Sequence, residues 1–319
     1  MTSRIQHRGF IPKEMAYDRL DQVVAALFPQ YSRSRLQTWI KSGELVVDGR
    51  AGRSKDRVSG GELIVIDAIA GTIEDKAENI PLKVVFEDES ILVINKAAGL
   101  VVHPGAGNDQ GTLLNALLHH SLHLNEIPRA GIVHRLDKDT TGLMVVAKTL
   151  ASQTSLVQQL QSRKVKRLYE AIVYGIPDAD GVVDAAISRH PVHRTRMAVR
   201  VGGKEAITGY RVLRSFIAHA HMQFSLETGR THQIRVHMQH LGFPLVGDPT
   251  YGGYFRTPKI GGEELAVRLK EFNRPALHAK ELSFLHPGSG QQVTFSSAIP
   301  SDLKFLLNAL DTTESGRND

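Results

Sequence analysis

The feature that most constrains the fold is a series of short β-like segments that begins after residue 82. Most of these segments are runs of apolar residues rich in Val, Ile, Phe and Tyr, which favour strands. They occupy residues 84–86, 91–94, 144–147, 169–173, 182–187 and 222–226. Helical spacing of apolar residues is found at residues 112–120, 152–162 and 231–241. Because the strands do not alternate regularly with helices, the pattern predicts an α+β domain and not a doubly wound sheet.

A different pattern precedes residue 68. Apolar residues recur at helical spacing over residues 20–27, and again in a second helix that begins near Ser32. Gly43 ends this second helix, and short β-like runs follow at residues 45–47 and 62–66. Basic residues occur on the second helix and in the loop between the two runs. We therefore expect a small unit of two helices and two strands with one basic side.

These patterns suggest where the domains begin and end. A chain of 319 residues exceeds the size at which a single hydrophobic core usually stops growing. The stretch 68–81 is rich in Ala, Gly and acidic residues, as a linker would be. We expect an N-terminal arm at residues 1–16, a small unit at 17–78, a larger domain at 79–310 and a disordered tail at 311–319.

Composition narrows the possible partners and chemistry. The net charge of +6 and the pI near 9.5 favour a polyanion, and RNA, DNA and acidic lipid all remain open. The first residues lack an apolar signal region, and no apolar run approaches the roughly 20 residues of a membrane span, so we expect a soluble, cytoplasmic protein. The chain has no cysteine, which excludes disulfides, thiolate metal sites, Fe–S clusters and a cysteine nucleophile.

The segment HRLDKDTTG at residues 134–142 concentrates reactive side chains between two predicted strands. It contains two carboxylates, Asp137 and Asp139, with cations and hydroxyls around them. It is either a solvated turn or a functional loop. The order of residues differs from the kinase His-Arg-Asp motif, and the fingerprints of dinucleotide-binding and P-loop proteins are absent.

A second polar segment, ETGRTHQIRVH at residues 227–237, runs from a predicted strand into a predicted helix. Gly229 would permit a tight turn and Thr231 would cap the helix. Arg235 is either a surface arginine or the partner of a carboxylate. The spacing of His232 and His237 is wrong for two metal ligands on one helical face, so we expect structural or RNA-facing histidines.

Together with KRLY at residues 166–169, these segments resemble, in the same order, the RluA family of pseudouridine synthases, and in detail its RluD-type members. Further matches are AGIV at 130–133, ISRHP at 187–191, PLVGDP at 244–249 and LHA at 277–279. The N-terminal unit resembles an S4-type RNA-binding domain. The resemblance implies a large mixed, mostly antiparallel sheet in the catalytic domain.

The resemblance also implies roles for individual residues. Asp137 would be the essential aspartate, Arg235 its ion-pair partner, Tyr169 the residue that stacks on the base, and Arg135 the residue that helps to displace the base. Without the resemblance, Tyr169 as a strand residue is better explained as a core tyrosine, because strands are rich in tyrosine. Phosphate contacts are expected from basic residues of the small unit and of the second polar segment: Arg33, Arg35, Arg50, Arg53, Lys55, Arg57 and Arg230.

The implied function is isomerisation of uridines in 23S rRNA or in a large-subunit precursor, with the helix 69 stem-loop as the target. The reaction is neither a redox step nor a group transfer, so we expect no cofactor and no metal, and we expect a monomer. A non-catalytic RNA-binding or ribosome-assembly factor and a metal-dependent RNA hydrolase are the alternatives. The sequence leaves open the exact uridines, the chemical route of the aspartate, and whether free RNA or an assembled particle is modified.

Overall fold

The structure is a computed structural model that describes residues 4–29, 31, 33–69, 76–105, 108, 110–252 and 262–315. The chain divides into two units. The first comprises residues 1–78 and 117–130, and the second comprises residues 79–116 and 131–319. Segment 117–130, which the sequence pattern assigned to the larger domain, therefore groups with the N-terminal residues.

The first unit contains a four-stranded antiparallel sheet and two helices. Its strands are β1 (Arg4–Phe10), β2 (Leu45–Val47), β3 (Arg50–Ala51) and β4 (Leu63–Ile69), and its helices are α1 (Leu20–Leu27) and α2 (Arg33–Ser42). The order in the sheet is β1-β4-β2-β3. Val24, Leu36, Trp39 and Ile64 are buried together in its core. The predicted helix pair and the two predicted strands are present.

Two predictions for the first unit are wrong. Residues 4–10 are not part of an arm, because β1 pairs with β4 along its whole length, from Arg4 opposite Ile69 to Phe10 opposite Leu63. The side chains of β1 are exposed or half-buried, so the strand is held by backbone pairing that leaves no apolar pattern in the sequence. The predicted linker also begins too early, since Ala68 is a buried residue of β4. Residues 70–75 of that linker lie outside the described residues.

The second unit contains a nine-stranded sheet and a separate two-stranded sheet. Its strands are β5 (Val84–Glu87), β6 (Ile91–Lys96), β7 (Thr141–Ala147), β8 (Lys166–Tyr174), β9 (Gly181–Asp184), β10 (Ile187–Arg189), β11 (Met197–Val199), β12 (Ile207–Ser215), β13 (His219–Leu226), β14 (Leu277–Leu285) and β15 (Gln292–Ser296). The large sheet has the order β5-β6-β7-β14-β8-β13-β12-β9, and β15 pairs with β14. Every pairing in it is antiparallel except that of β7 with β14. The prediction of an α+β fold with a mixed, mostly antiparallel sheet is confirmed.

Five helices follow in the chain: α3 (Leu113–His120), of which residues 117–120 group with the first unit, α4 (Leu150–Gln161), α5 (Gln233–His240), α6 (Gly262–Glu271) and α7 (Ser301–Ser315). The first three correspond to predicted helices. The predicted disordered tail is wrong for residues 311–315, because α7 continues to Ser315 and buries Leu303, Leu306 and Leu310. Residues 316–319 lie outside the described residues. No helix in the described ranges is long and apolar enough to cross a membrane.

The parallel contact between β7 and β14 depends on a glycine. Thr141 lies opposite His278, and Gly142 lies opposite Ala279. A Cβ atom on Gly142 would lie 2.3 Å from the carbonyl oxygen of Ala279, and Gly142 has a φ of +118°. Only glycine satisfies both conditions. The segment HRLDKDTTG is thereby fixed to β14, although 136 residues separate the two in the chain, as the hydrogen bond from Thr141 to the Leu277 carbonyl also shows.

Candidate active site

Asp137 lies in the loop that leads into β7, with its side chain 18% exposed. The amide of Thr140 donates to the backbone carbonyl of Asp137 at 3.2 Å, which closes a turn around it. Lys96, at the end of β6, is buried and holds the same loop through hydrogen bonds to its backbone. Its Nζ donates to three carbonyl oxygens, those of Lys138 (2.8 Å), Ala97 (2.8 Å) and Leu100 (3.0 Å). The loop therefore presents Asp137 from a fixed backbone.

A second carboxylate completes the site. Arg235 on α5 donates from Nη1 to Oδ2 of Asp137 at 2.9 Å. Its remaining donors form a bidentate pair with Asp248, with Nε to Oδ2 at 2.6 Å and Nη2 to Oδ1 at 2.9 Å. The Arg235 side chain is 7% exposed and that of Asp248 is fully buried. The guanidinium is therefore locked between two carboxylates, and one of them is the predicted catalytic residue.

The electrostatics of this group follow from its geometry. Burial alone would lower the pKa of Arg235, but the hydrogen bonds and charges of Asp248 and Asp137 outweigh burial and raise this pKa above its ordinary value. The guanidinium is thus a permanent cation. Asp248 is itself held, because its Oδ1 accepts the amides of Thr250 (2.8 Å) and Tyr251 (3.0 Å). A fixed cation of this kind attracts the negative charge of each carboxylate to which it is hydrogen-bonded.

The start of α5 differs from the prediction. The residue that precedes the helix is His232, in a left-handed conformation with φ 58° and ψ 23°, and Thr231 does not cap it. The turn is held by the buried Gln233, whose Oε1 accepts the amide of Arg230 (2.9 Å) and the hydroxyl of Thr228 (2.8 Å). Gly229 does not have a left-handed backbone, and a Cβ there would lie 2.8 Å from Nη1 of Arg167, the end of a long side chain.

His232 faces the other oxygen of the Asp137 carboxylate, and Tyr251 contacts His232. Nε2 of His232 lies 3.9 Å from Oδ1 of Asp137, and its Nδ1 lies 2.7 Å from the hydroxyl of Tyr251. The two rings meet edge to face, with centroids 5.5 Å apart. The Arg235 guanidinium lies over the same tyrosine ring, at 5.0 Å from its centroid. Burial raises the pKa of Tyr251, so the phenol keeps its proton.

Tyr169 lies in the middle of the large sheet, on β8, opposite Phe224 of β13 and Ala279 of β14. It is 6% exposed. Burial is the main reason that its pKa is raised, and the charge of Asp137 raises it further. The tyrosine is therefore both a core residue and a neighbour of the carboxylate.

Comparisons with known proteins match this chain to one family of enzymes. A family model described as RNA pseudouridylate synthase matches residues 90–240, and an S4 domain model matches residues 18–64. A Pseudomonas aeruginosa protein named ribosomal large subunit pseudouridine synthase D is 54% identical over 311 residues, which are 97% of this chain and 97% of that protein. The chain belongs to the RluA family of pseudouridine synthases. Enzymes of this class isomerise uridine in RNA, and we call the chain the synthase below.

A further relative and a solved structure support the same family. The protein of the same name from Xanthomonas campestris is 52% identical over 304 residues, covering 95% of the synthase and 92% of that protein. Among solved structures, human RNA pseudouridylate synthase domain containing 4 aligns with a TM-score of 0.57 at 25% identity. That alignment covers 72% of the synthase and 93% of the human chain. The prediction of an RluA-family enzyme with an N-terminal S4 domain is confirmed.

The two remaining predicted residues of the catalytic domain of the synthase are more exposed. Arg135 is exposed two residues before Asp137, and its positive charge is one of the influences that lower the pKa of His232. Arg230 is half-buried, and its Nε donates to the carbonyl of Glu205 at 2.9 Å. Arg230 therefore has a structural contact in addition to its predicted contact with phosphate.

Four of the six predicted RNA-binding residues of the S4-like unit lie on its surface. Arg50, Arg53, Lys55 and Arg57 are exposed. Arg57 donates to the carbonyl of Tyr17 at 2.5 Å. In α2, the Arg35 guanidinium lies 5.3 Å from the centroid of the Trp39 ring. The side chain of Arg33 lies outside the described residues.

Sequence reasoning expected His232 to be structural or RNA-facing, and it assigned no role to three residues that hold the Asp137 loop, Arg235 or His232: Lys96, Asp248 and Tyr251. Asp248 gave a signal, because it is a carboxylate in the matching segment PLVGDP, within an otherwise apolar run. Gly247 holds that segment in place, since a Cβ there would lie 2.4 Å from the carbonyl oxygens of Phe272 and Arg274. No group of three or more metal-ligating side chains occurs among the described residues. His237 is buried and bonds to Thr208 and to the carbonyl of Ala185.

Proposed function

We propose that the synthase converts uridines of 23S rRNA, or of a large-subunit precursor, into pseudouridine, and that its target is the helix 69 stem-loop. Relatives that share half of its residues over nearly their full length bear the name ribosomal large subunit pseudouridine synthase D. The match to an S4 domain and the net charge of +6 fit a large RNA substrate. The choice of stem-loop rests on the resemblance to RluD-type enzymes.

The observation that carries this proposal is the asymmetric environment of the Asp137 carboxylate. Its Oδ2 receives the hydrogen bond from Arg235. Its Oδ1 receives none from the part of the chain that the structure describes, and the side chain is partly exposed. One oxygen is thus used to hold the group, and the other is available to a substrate. This arrangement suits a carboxylate that acts on a bound nucleotide.

The reaction needs no external reagent. The bond between N1 and C1′ breaks, a bond between C5 and C1′ forms, the proton leaves C5, and N1 gains a proton. The atoms and electrons of the base are conserved, so the chemistry demands no cofactor. Asp137 serves as a nucleophile or as a charge and proton carrier, and on both routes Arg235 holds the carboxylate in place through one of its oxygens.

The other predicted residues act on the position of the base. Extrusion of a base from an RNA stack costs a few kcal/mol. We assign its displacement to Arg135, which is exposed beside Asp137. Stacking on Tyr169 would return about 1–3 kcal/mol. A non-catalytic assembly factor on the same fold would have no use for a buried arginine joined to two carboxylates, so we favour the enzyme.

Chemical mapping of pseudouridine in ribosomal RNA tests the proposal. In cells that lack the synthase, we expect pseudouridine to be lost from helix 69 and from few other sites. Wild-type protein should restore the modification, and Asp137→Asn should not. If helix 69 keeps its pseudouridines in the deletion strain, the proposed target is wrong. If Asp137→Asn restores them, the proposed catalytic residue is wrong.

A further inference from the structure

The backbone of His232 is strained at the catalytic carboxylate. A left-handed conformation is uncommon outside glycine, although histidine adopts it more readily than most residues. Such strain persists only where the surroundings determine the conformation, and it is concentrated at functional sites. Here the conformation brings the ring between the Tyr251 hydroxyl, 2.7 Å from Nδ1, and Asp137 Oδ1, 3.9 Å from Nε2. The ring is held on one side and faces the carboxylate on the other.

Tyr251 determines which nitrogen of His232 carries the proton. The Tyr251 oxygen accepts the amide of Met197 at 2.8 Å, and the residue is 2% exposed. A buried hydroxyl proton needs an acceptor, and Nδ1 of His232 is within reach. Burial lowers the pKa of His232, and the charges of Arg235 and Arg135 lower it further against the opposing effect of Asp137. The imidazole is therefore neutral, with Nδ1 as an acceptor and the proton on Nε2.

A donor and an acceptor then face the same small space. The donor is the Nε2–H of His232, and the acceptor is Oδ1 of Asp137, the oxygen that Arg235 leaves open. Their separation of 3.9 Å is too long for a direct hydrogen bond, but it is short enough for one atom between them to form a hydrogen bond with each. That atom must accept one hydrogen bond and donate another, which is the property of a hydroxyl oxygen.

We propose that His232 and Asp137 together bind the 2′-hydroxyl of the target ribose, which accepts from Nε2–H and donates to Oδ1. The inference rests on the proposed function. The 2′-hydroxyl is attached to the carbon next to C1′, so it is close to any carboxylate that acts at the glycosidic bond. It also distinguishes RNA from DNA, so this pair of residues would contribute to that selectivity.

The competing occupant is the edge of the uracil ring, which offers a carbonyl acceptor and the N3–H donor on two adjacent atoms. The base must turn between cleavage at N1 and attachment at C5, so contacts to its edge have to break during the reaction. The ribose does not turn. A pair of groups that is fixed by Tyr251 and Arg235 therefore fits the ribose better than the base.

A cycle of enzyme and substrate changes tests the proposal. The substrates are the helix 69 stem-loop with uridine, and the same RNA with 2′-deoxyuridine at each converted position. The enzymes are wild type and His232→Phe, which keeps a ring without a donor. Wild type should lose about 10- to 100-fold in kcat/KM on the deoxy substrate, the usual effect of hydrogen bonds to a charged group. His232→Phe should lose less than about 3-fold, because its donor is already absent.

Matched controls separate binding of the hydroxyl from general damage. His240→Phe changes an exposed histidine at the end of α5, and this variant should lose as much kcat/KM on the deoxy substrate as the wild type does. An equal penalty in wild type and His232→Phe would overturn the proposal and would favour the uracil edge. If wild type converts neither RNA, the proposed function itself is wrong. If wild type converts both equally well, only the assignment of the 2′-hydroxyl fails.

The tautomer is measured on the wild-type protein and does not depend on the kinetics. Nitrogen-15 NMR of the imidazoles, with His232 assigned by its absence in His232→Phe or by selective labelling, should show the proton on Nε2. A proton on Nδ1 would overturn the proposal whatever the kinetics. Tyr251→Phe removes the hydroxyl that fixes the tautomer, so it should give a mixture of the two forms and a reduced deoxy penalty. An unchanged tautomer in this variant would contradict the role of Tyr251.

Discussion

Each of the two units contains an arginine that grips an aspartate with two hydrogen bonds, and the two pairs differ chiefly in burial. In the S4-like unit, Arg4 donates to Asp67 at 2.6 and 2.7 Å, and their side chains are 66% and 39% exposed. In the catalytic unit, Arg235 donates to Asp248 at 2.6 and 2.9 Å, and their side chains are 7% and 0% exposed. The hydrogen-bond distances of the two pairs are nearly the same, but the first pair is exposed to solvent and the second is buried.

This difference decides what each arginine can do. Water screens the exposed pair, so it contributes little to stability and exerts little influence on its neighbours. The charges of the buried pair have lost their hydration, and this cost is compensated only while all the charged partners of the network are present. The third partner in that network is Asp137, so the charge of the buried arginine acts directly on the carboxylate that we propose to be catalytic. Substitutions should therefore have large effects at the buried site and small effects on the exposed surface.

The largest effect is expected at Asp137. Asp137→Asn keeps the shape of the side chain but removes the charge and the reactive oxygen. The rate of isomerisation of the stem-loop should fall on the order of 10⁴-fold, as it does when a central catalytic group is removed. Affinity for the RNA should be retained. Single-turnover assays and RNA binding measurements with the purified variant check both expectations.

Asp139→Asn is the matched control, because Asp139 is two residues away in the same loop and is half-buried. Its carboxylate makes no hydrogen bond within the described residues, and its charge acts on the buried Lys96. Asp139→Asn should therefore keep most of the activity. Equal losses in the two variants would contradict the assignment of Asp137 as the catalytic carboxylate.

The second prediction compares the two pairs directly. Asp248→Asn leaves Arg235 buried with one of its two anionic partners missing, which typically costs about 3–5 kcal/mol in the free energy of unfolding. Asp67→Asn breaks the exposed pair and should change this free energy far less. Urea denaturation of the two variants and the wild type provides the comparison. Similar losses in both would mean that burial does not distinguish the two pairs.

The sequence predicted the residues of the buried site better than it predicted how they are held. Asp137 and Arg235 stood out as a carboxylate in a charged loop and an arginine in a helical segment, and the resemblance paired them across 98 residues. Asp248 was missed because only the fold brings the PLVGDP segment against α5. His232 was expected to be structural or RNA-facing because its spacing from His237 is wrong for a metal site. Its position beside Asp137 was missed, since no sequence pattern shows a left-handed backbone at a residue other than glycine.

The same limit applies to the fold. Helices α1 and α2 and the apolar strands were predicted because burial of one face leaves a periodic pattern. Strand β14 was missed because its pairing with β8 shifts register between Ala279 and Glu281, which interrupts the alternation of residues. Strand β1 was missed because its partly exposed side chains carry no apolar pattern. Periodicity reports burial, so elements held by backbone pairing leave a weaker signal.

A third prediction tests burial through pH. His134, three residues before Asp137, accepts the amide of Val145 at 3.1 Å. Burial, aided by the charge of Arg167, lowers the pKa of His134 from 6.5 to about 3. In the unfolded chain this histidine binds a proton below its ordinary pKa, but in the folded state it does not. Its contribution to stability is therefore complete above pH 6.5 and is lost as the pH falls towards 3.

The size of this effect is at most about 1.4 kcal/mol for each pH unit. His134→Gln, which keeps an acceptor for Val145, should make the free energy of unfolding fall less steeply between about pH 6 and 4.5. His240→Gln, at an exposed histidine, should keep the wild-type slope. Urea denaturation at several pH values gives the slopes. Parallel curves for wild type and His134→Gln would show that His134 is not held neutral by burial.

The smallest effect is expected on the surface of the S4-like unit. Arg50, Arg53 and Lys55 are exposed, in or next to the β3 hairpin, and cations in such positions suit contact with phosphate. Each phosphate contact that is lost should reduce the slope of log K against log salt by roughly one, through the release of fewer counterions. Single changes to Gln should therefore weaken binding of the stem-loop modestly, and kcat at saturating RNA should stay the same.

Lys13→Gln, which changes an exposed lysine of the same unit outside the predicted set, is the control and should keep the wild-type slope. Titration of each variant at several salt concentrations separates the cases: slopes equal to that of the wild type would remove these residues from the RNA contact, and a fall in kcat would mean that this surface also positions the RNA for reaction.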